Sequence, residues 1–439
     1  MKKRTSERLG ETYYELRHAS GLPVYVFPKD CATTHAILAA RFGSLDRCYR
    51  EPGSREWVTL PDGTAHFLEH KLFDNPDGSD SFARFSELGA DANAYTDYGH
   101  TAYLFSCTEH FDEALAELLR FVTTPYFTPE SVRKERGIIA EEIRMYRDSP
   151  WDRCFQNLME GMYRKNPVRR NICGSEKSIG EITAPTLYGC YRAFYRLPDM
   201  VLVVCGKVTP GQVMRVADAV LPARQADEAD GTGGSPERLA VDEPAGVFRA
   251  NRSAEMQVAK PLFSVGIKDA AIPREPLARL RREAGMRILG ELLFSRAGRF
   301  FSRVFEEGLL TASYSYGYSV CDRFAFHTVS GESDRPGEVL RLLREHLMDV
   351  RRQGIDPEDF ERCRRVLYAD EIRSYDSAEE IAGSLLSFVM DGVDLFAYPE
   401  LLAEARCEEL LPLLDDMLRE DAWCLSQICP PAPSNEKER

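Results

Sequence analysis

His66, Glu69 and His70 stand in the order His-x-x-Glu-His within the stretch Thr64-Ala-His-Phe-Leu-Glu-His70. On a helix, residues four apart share one face, so the two imidazoles can converge on a single ion. Glu69 projects beside them. A zinc ion with three protein ligands keeps one position for a water and brings the pKa of that water near neutrality. A neighbouring carboxylate can then take the proton as the water attacks a carbonyl carbon. The spacing therefore points to metal-assisted hydrolysis. The flanking Ala65, Phe67, Leu68, Leu72 and Phe73 are apolar. This helix is thus expected to be buried, where polar side chains need partners.

A third donor is available downstream. The pattern predicts a helix over residues 129–147 that carries Glu135, Glu141 and Glu142. Glu135 and Glu142 are two turns apart on one face, and Glu141 points about 100° away from Glu142. Spacing alone leaves the choice among the three open. His18, His35, His110, His327 and His346 show no ligand spacing. His100, at the start of a strand, reads as a structural histidine.

The elements that must position these residues are mixed. Strands are expected at 13–17, 24–28, 36–42, 92–97, 101–107 and 200–204. Helices are expected at 63–73, 80–88, 111–122, 129–147 and 183–195. The second part of the chain repeats the order: a strand within 256–267, a long helical region over 277–307, a hairpin at 312–320 and 324–330, then helices at 337–352 and 357–374. In both parts a hairpin leads into an amphipathic helix, which suggests an internal duplication. Segregated strands and helices indicate an α+β fold. The run QADEADGTGGSP is acidic and rich in glycine, the mark of a linker. The expected organisation is a first half at 1–224, a linker at 225–238, a second, metal-free half at 239–430 and a disordered tail at 431–439.

Composition narrows the classes. The 439 residues are 44% hydrophobic and 29% charged, ordinary for a globular protein. A net charge of −14 argues against a nucleic-acid partner, which requires clustered Lys and Arg. No apolar run is long enough to span a membrane, and no apolar segment follows the charged N-terminus, so a cytoplasmic location is expected. The twelve cysteines form no CxxC pair and read as free thiols.

Four stretches together resemble the pitrilysin/insulysin family of zinc peptidases, which includes the mitochondrial processing peptidase. They are Thr64 to His70, Gly89-Ala-Asp-Ala-Asn-Ala-Tyr-Thr96, Glu135-Arg-Gly-Ile-Ile-Ala-Glu-Glu142 and the run from Pro167 through Gly174 to Ile182. The resemblance covers roughly residues 14–418. It implies two similar α+β halves, each an antiparallel sheet with helices packed on one face. It implies Zn²⁺ held by His66, His70 and Glu142, Glu69 as general base, and Glu135 as the carboxylate that orients the site. Asn93 and Ala94 match the edge strand that pairs with a peptide substrate. Short members of the family complete their chamber with a second, related subunit, so a homo- or heterodimer is implied. This chain is most similar to the active-looking partner of bacterial pairs, some tied to peptide maturation or to elongation factor P modification. One departure stands out. Many members carry an Arg and a Tyr seven apart that bind the substrate carbonyl and the oxyanion. Val304 and Thr311 occupy the matching places, and the nearby Tyr314 and Tyr316 read as packing residues. The expected function is that of a zinc-dependent endopeptidase working with a partner. The alternative is a weakly active or non-proteolytic maturation subunit.

Overall fold

The structure is a computed structural model that describes residues 1–76, 78–222 and 234–431. It divides into two compact units.

The first unit comprises residues 1–143, 171–240 and 371–396. Its seven-stranded sheet runs in the order Lys2–Ser6, Glu11–Arg17, Pro23–Pro28, Met200–Gly206, Thr34–Ala40, Thr101–Cys107, Asp91–Thr96. Neighbours are antiparallel except Pro23–Pro28 with Met200–Gly206. Thr34–Ala40 and Met200–Gly206 are buried along their whole length, as suits the apolar runs Ala36–Ala40 and Met200–Gly206. Tyr103 and Phe105 face the helix Phe111–Thr123 through Phe121 and Phe111. Ile37, Ala39, Val201, Val203 and Cys205 point to the opposite face and meet Ile381, Leu385 and Leu386 of the helix Ala378–Met390. Helices thus cover both faces at the centre of this sheet.

The second unit comprises residues 144–170, 241–370 and 397–431 of the described chain. Its five-stranded sheet runs Asn251–Glu255, Trp423–Cys429, Leu262–Lys268, Ala325–Glu332, Ser315–Val320. Only the first pair is parallel. In chain order this is first, fifth, second, fourth, third. The last five strands of the first sheet follow the same permutation with the same parallel pair. The expected duplication is therefore present as topology, and the α+β fold with two similar sheets is as the sequence indicated.

Domain boundaries differ from the contiguous halves expected. The helix Pro150–Met162 belongs to the second unit and packs on Trp423–Cys429 and Leu262–Lys268, with Cys154 against Leu262 and Ile428. The helix Ala378–Met390 belongs to the first unit. Each sequence half thus lends a helix to the other half's sheet. A cut at the linker would leave apolar sheet surface bare on both sides.

The expected linker over 225–238 lies partly outside the described residues. Its end is bound to the first unit: Glu237–Arg238 pairs antiparallel with Arg50 and Tyr49. Most of the expected tail at 431–439 also falls outside the described residues. Cys424 and Cys429 sit in an inner strand of the second sheet. The long helix expected over 277–307 is two helices, Pro276–Phe294 and Arg299–Glu306, because Ser295 is extended and Gly298 starts the second.

Candidate metal centre

The motif helix is Thr64–Lys71. Gly63 starts it at φ +90°, a conformation that favours glycine. Phe67 and Leu68 are fully buried. The helix lies on the hairpin of Asp91–Thr96 and Thr101–Cys107. His66 and Glu69 are each only 7% exposed, so neither is a solvated surface group.

The second helix is Pro129–Asp148. Val132, Ile139 and Ile143 bury one of its sides. Glu135 and Glu142 lie along that side, and Glu141 is exposed. The choice left open by spacing is thereby made: Glu142, and not Glu141, faces the histidines. Glu142 Oε1 is 3.5 Å from His66 Nε2, and Glu142 Oε2 is 3.5 Å from His70 Nε2. One donor atom from each of the three residues lies within 4.8 Å of the others.

These separations test whether an ion fits. At 3.5 Å the contacts are longer than the roughly 2.7–3.2 Å of hydrogen bonds. They match the roughly 3.3 Å edge between nitrogen and oxygen donors around tetrahedral zinc. Both imidazoles present Nε2, and the carboxylate shares its oxygens between them. This donor set fits zinc.

Surrounding groups hold the donors. His70 Nδ1 lies 3.0 Å from Glu135 Oε1, a bond that orients the ring with Nε2 inward. Buried Lys71 reaches Glu135 Oε2 at 3.7 Å and also pairs with Asp74. Burial disfavours the Glu135 anion, but the His70 hydrogen bond and Lys71 outweigh it and hold Glu135 below the usual carboxylate range. Burial likewise works against charge on His70, but the bond to Glu135 and the nearby carboxylates raise its pKa. For Glu69 burial wins and lifts the carboxyl, although His66, Thr96 and His70 pull it down. Thr96 Oγ1 donates to Glu69 Oε2 at 2.5 Å.

The strand Asp91–Thr96 is the last of its sheet and pairs only with Thr101–Cys107 among the described residues. Alternation places Ala92, Ala94 and Thr96 on the motif-helix side and Asn93 on the exposed side. Asn93 Oδ1 accepts from the Ala94 N–H at 2.8 Å. His100 Nε2 pairs with the Tyr95 hydroxyl at 3.2 Å, in keeping with a structural histidine.

Three residues of this centre were missed by sequence reasoning. Thr96 and Cys173 sit inside stretches that carried the family resemblance, yet neither has a spacing that announces its contact. Lys71 follows His70 directly, but its burial depends on Glu135 from another helix. Cys173 Sγ lies 3.8 Å from His66 Nε2 and 4.0 Å from Glu142 Oε1. Burial, then Glu142 and Glu69, push its thiol up to about 12. In the second unit, Val304 is buried and the Thr311 hydroxyl bonds Glu332. Tyr314 donates to the Phe294 carbonyl and Tyr316 to Glu291, which are packing roles.

Comparison with known proteins gives the family. Residues 51–176 match the family model described as insulinase (peptidase family M16), and residues 181–367 match the peptidase M16 inactive domain. A Bacillus subtilis protein named as the uncharacterized zinc protease YmfH is 33% identical over 429 residues, covering 97% of this chain and 98% of its own. The crystal structure of a putative M16-like peptidase from Alicyclobacillus acidocaldarius superposes with a TM-score of 0.89 at 32% identity, over 97% of this chain and 100% of that one. The periplasmic protease PqqL of Escherichia coli shares the fold at 16% identity and a TM-score of 0.73; the match covers 98% of this chain and 50% of PqqL. The chain belongs to peptidase family M16, the insulinase family.

Proposed function

We propose that this protein is a zinc-dependent endopeptidase that hydrolyses peptides or small unfolded proteins held as an extended strand. The observation that carries the reading is the meeting of His66, His70 and Glu142 beside a buried glutamate, Glu69. His66, His70 and Glu142 would hold the ion, and Glu135 would keep His70 in the ligating tautomer. Bound there, zinc supplies a Lewis acid that polarises the scissile carbonyl and acidifies a water. Glu69 takes the proton of the attacking water and passes it to the leaving amine. Thr96 fixes the rotamer in which Glu69 does so. The free edge of Asp91–Thr96, with Asn93 and Ala94 in its middle, would pair with the substrate backbone as an added strand.

The second unit offers no Arg/Tyr pair at positions 304 and 311 to bind an oxyanion. Loss of one such donor typically costs roughly 10²–10³ in rate. The chain also matches only half of PqqL. Both observations favour a second, related subunit, identical or not, that completes the substrate chamber. They equally favour the alternative of a weakly active maturation subunit.

Cleavage of a quenched peptide library by zinc-loaded protein, alone and with a candidate partner, tests the reading. Glu69→Gln is expected to lower kcat by on the order of 10³ or more while zinc content stays unchanged. Undiminished cleavage by that variant would remove the endopeptidase assignment.

A further inference from the structure

Phe248 is an exposed aromatic residue of the second unit. Three arginines of the same unit crowd its ring. The guanidinium carbons of Arg249, Arg164 and Arg169 lie 5.2, 5.8 and 6.0 Å from the ring centre. At such distances an aromatic face attracts a cation. Backbone bonds fix the two segments that carry the charges. The Phe248 and Arg249 N–H groups donate to the Met162 and Gly161 carbonyls at 3.3 and 2.8 Å, at the end of the helix Pro150–Met162. The N–H groups of Arg164, Lys165 and Asn166 donate to the Glu243 carboxylate at 2.9, 2.7 and 2.8 Å. Buried Asn166 accepts from the Val168 N–H and donates to the Arg323 carbonyl. The turn from Arg164 to Arg169 is thus shaped by the protein itself.

The three charges have no counterpart in the protein. Among the described residues, the side chains of Arg164, Arg169 and Arg249 make no ion pair and no hydrogen bond. Arg169 Nε is buried without a partner. Two carboxylates stand close to Arg169, and both are engaged elsewhere. Glu160 pairs with Arg252, and Glu243 pairs with Lys268 besides holding the three N–H groups. Burial, then Arg170, press the Arg169 pKa below its ordinary value; Arg252 adds to this, and Glu160 and Glu243 oppose it. An arginine keeps its proton in a protein, so the charge remains. The chain has a net charge of −14, yet here like charges gather with no carboxylate between them. An anion from outside relieves that repulsion.

We propose that Arg164, Arg169 and Arg249 form a binding site for a phosphate group, free or carried as a monoester. Guanidinium forks match the oxygens of both carboxylates and phosphates. A carboxylate offers two oxygens and one charge. A phosphate monoester offers three acceptor oxygens and up to two charges, which suits three forks. The site uses none of the metal-binding residues, so it does not depend on the peptidase reading.

Isothermal titration of the zinc-loaded protein with inorganic phosphate tests this. The wild type is expected to bind saturably. The double variant Arg164→Gln, Arg249→Gln is expected to bind about tenfold or more weakly, the size of a lost hydrogen bond to a charged group. Both side chains are exposed, so the variant keeps its fold. Phosphate that meets only the metal would bind both proteins equally, and that result would overturn the proposal. Absence of saturable binding by the wild type would overturn it also. Arg303→Gln, which removes an exposed arginine paired with Glu307, is expected to bind as the wild type does. Equal weakening in that variant would reduce the effect to net charge and dismiss the site. A phosphoserine peptide, set against its unphosphorylated form, identifies the source. Tighter binding than free phosphate assigns the group to a modified side chain, and weaker binding assigns it to a small ligand.

Discussion

Glu69 illustrates how one side chain acquires a role from its surroundings. Burial makes its charge costly, and the imidazoles and the Thr96 hydroxyl offset that cost. The hydroxyl also fixes where the carboxylate oxygen points. A hydrogen bond to a charged group contributes roughly 1.5–3 kcal/mol. Thr96→Val is therefore expected to lower kcat by about 10-fold or more with KM nearly unchanged, while Thr96→Ser retains most of the rate. Steady-state kinetics on a single peptide checks both. Loss of rate in the Ser variant with the rate retained in Val would show that the methyl group and not the hydroxyl matters. Glu135 acts one step further out, through His70, and Lys71 holds Glu135 in turn. Such chains of buried charge give each member its partner and leave little freedom in the ring they orient.

At the scale of the element, the helix Pro129–Asp148 decides which glutamate faces the two histidines. Its apolar residues at 132, 139 and 143 set the buried side, and Glu142 falls there while Glu141 does not. Metal analysis of purified variants is expected to show Glu142→Ala without stoichiometric zinc and Glu141→Ala with it. The reverse result would rotate the assignment by one residue. The strand Ala325–Glu332 gives a pH prediction in the same way. It buries His327 completely, which lowers its pKa from the ordinary 6.5 to about 3. The unfolded chain binds that proton more readily, so stability is retained above pH 6.5 and lost as pH falls towards 3. Each pH unit in that window costs up to about 1.4 kcal/mol. Urea unfolding between pH 7 and 4.5 is expected to show a shallower slope for His327→Leu than for wild type. Parallel slopes would mean that His327 does not couple to folding.

At the scale of the whole molecule, the two larger sheets share a five-strand topology, and each sequence half lends a helix to the other half's sheet. Ile381, Leu385, Leu386 and Val389 are buried against the first sheet. Burying four such side chains contributes roughly 6–12 kcal/mol, comparable to the roughly 5–15 kcal/mol net stability of an ordinary domain. Residues 1–222 alone are therefore expected to bind a hydrophobic dye and to lack cooperative thermal unfolding. Supplying residues 234–431 in trans is expected to abolish the dye binding and restore a cooperative transition. A stable monomeric fragment with a sharp transition would show that the exchanged helix is dispensable. Contiguous halves are therefore not expected to fold independently, although each contains all the strands of its own large sheet.

The local chemistry of this protein was legible in the chain itself. Helical spacing puts His66 and His70 on one face, because it follows from a backbone period of 3.6, and the β-branched and aromatic residues of 92–97 and 101–107 give the hairpin. The centre strands were readable for the same reason, as continuous apolar runs. What spacing cannot express is contact between residues far apart in sequence. Which face of the helix Pro129–Asp148 meets the motif helix, which hydroxyl holds Glu69, and which sheet the helix Ala378–Met390 covers all depend on packing. The sequence determined the metal-binding motif and the fold class. Spacing alone left Glu141 and Glu142 both open, and only the family resemblance pointed to Glu142; the tertiary structure turned Glu142 towards the histidines, buried Lys71 beside Glu135, and brought the Cys173 thiol to the edge of the donor cluster, because each of these is settled by which surfaces exclude water together.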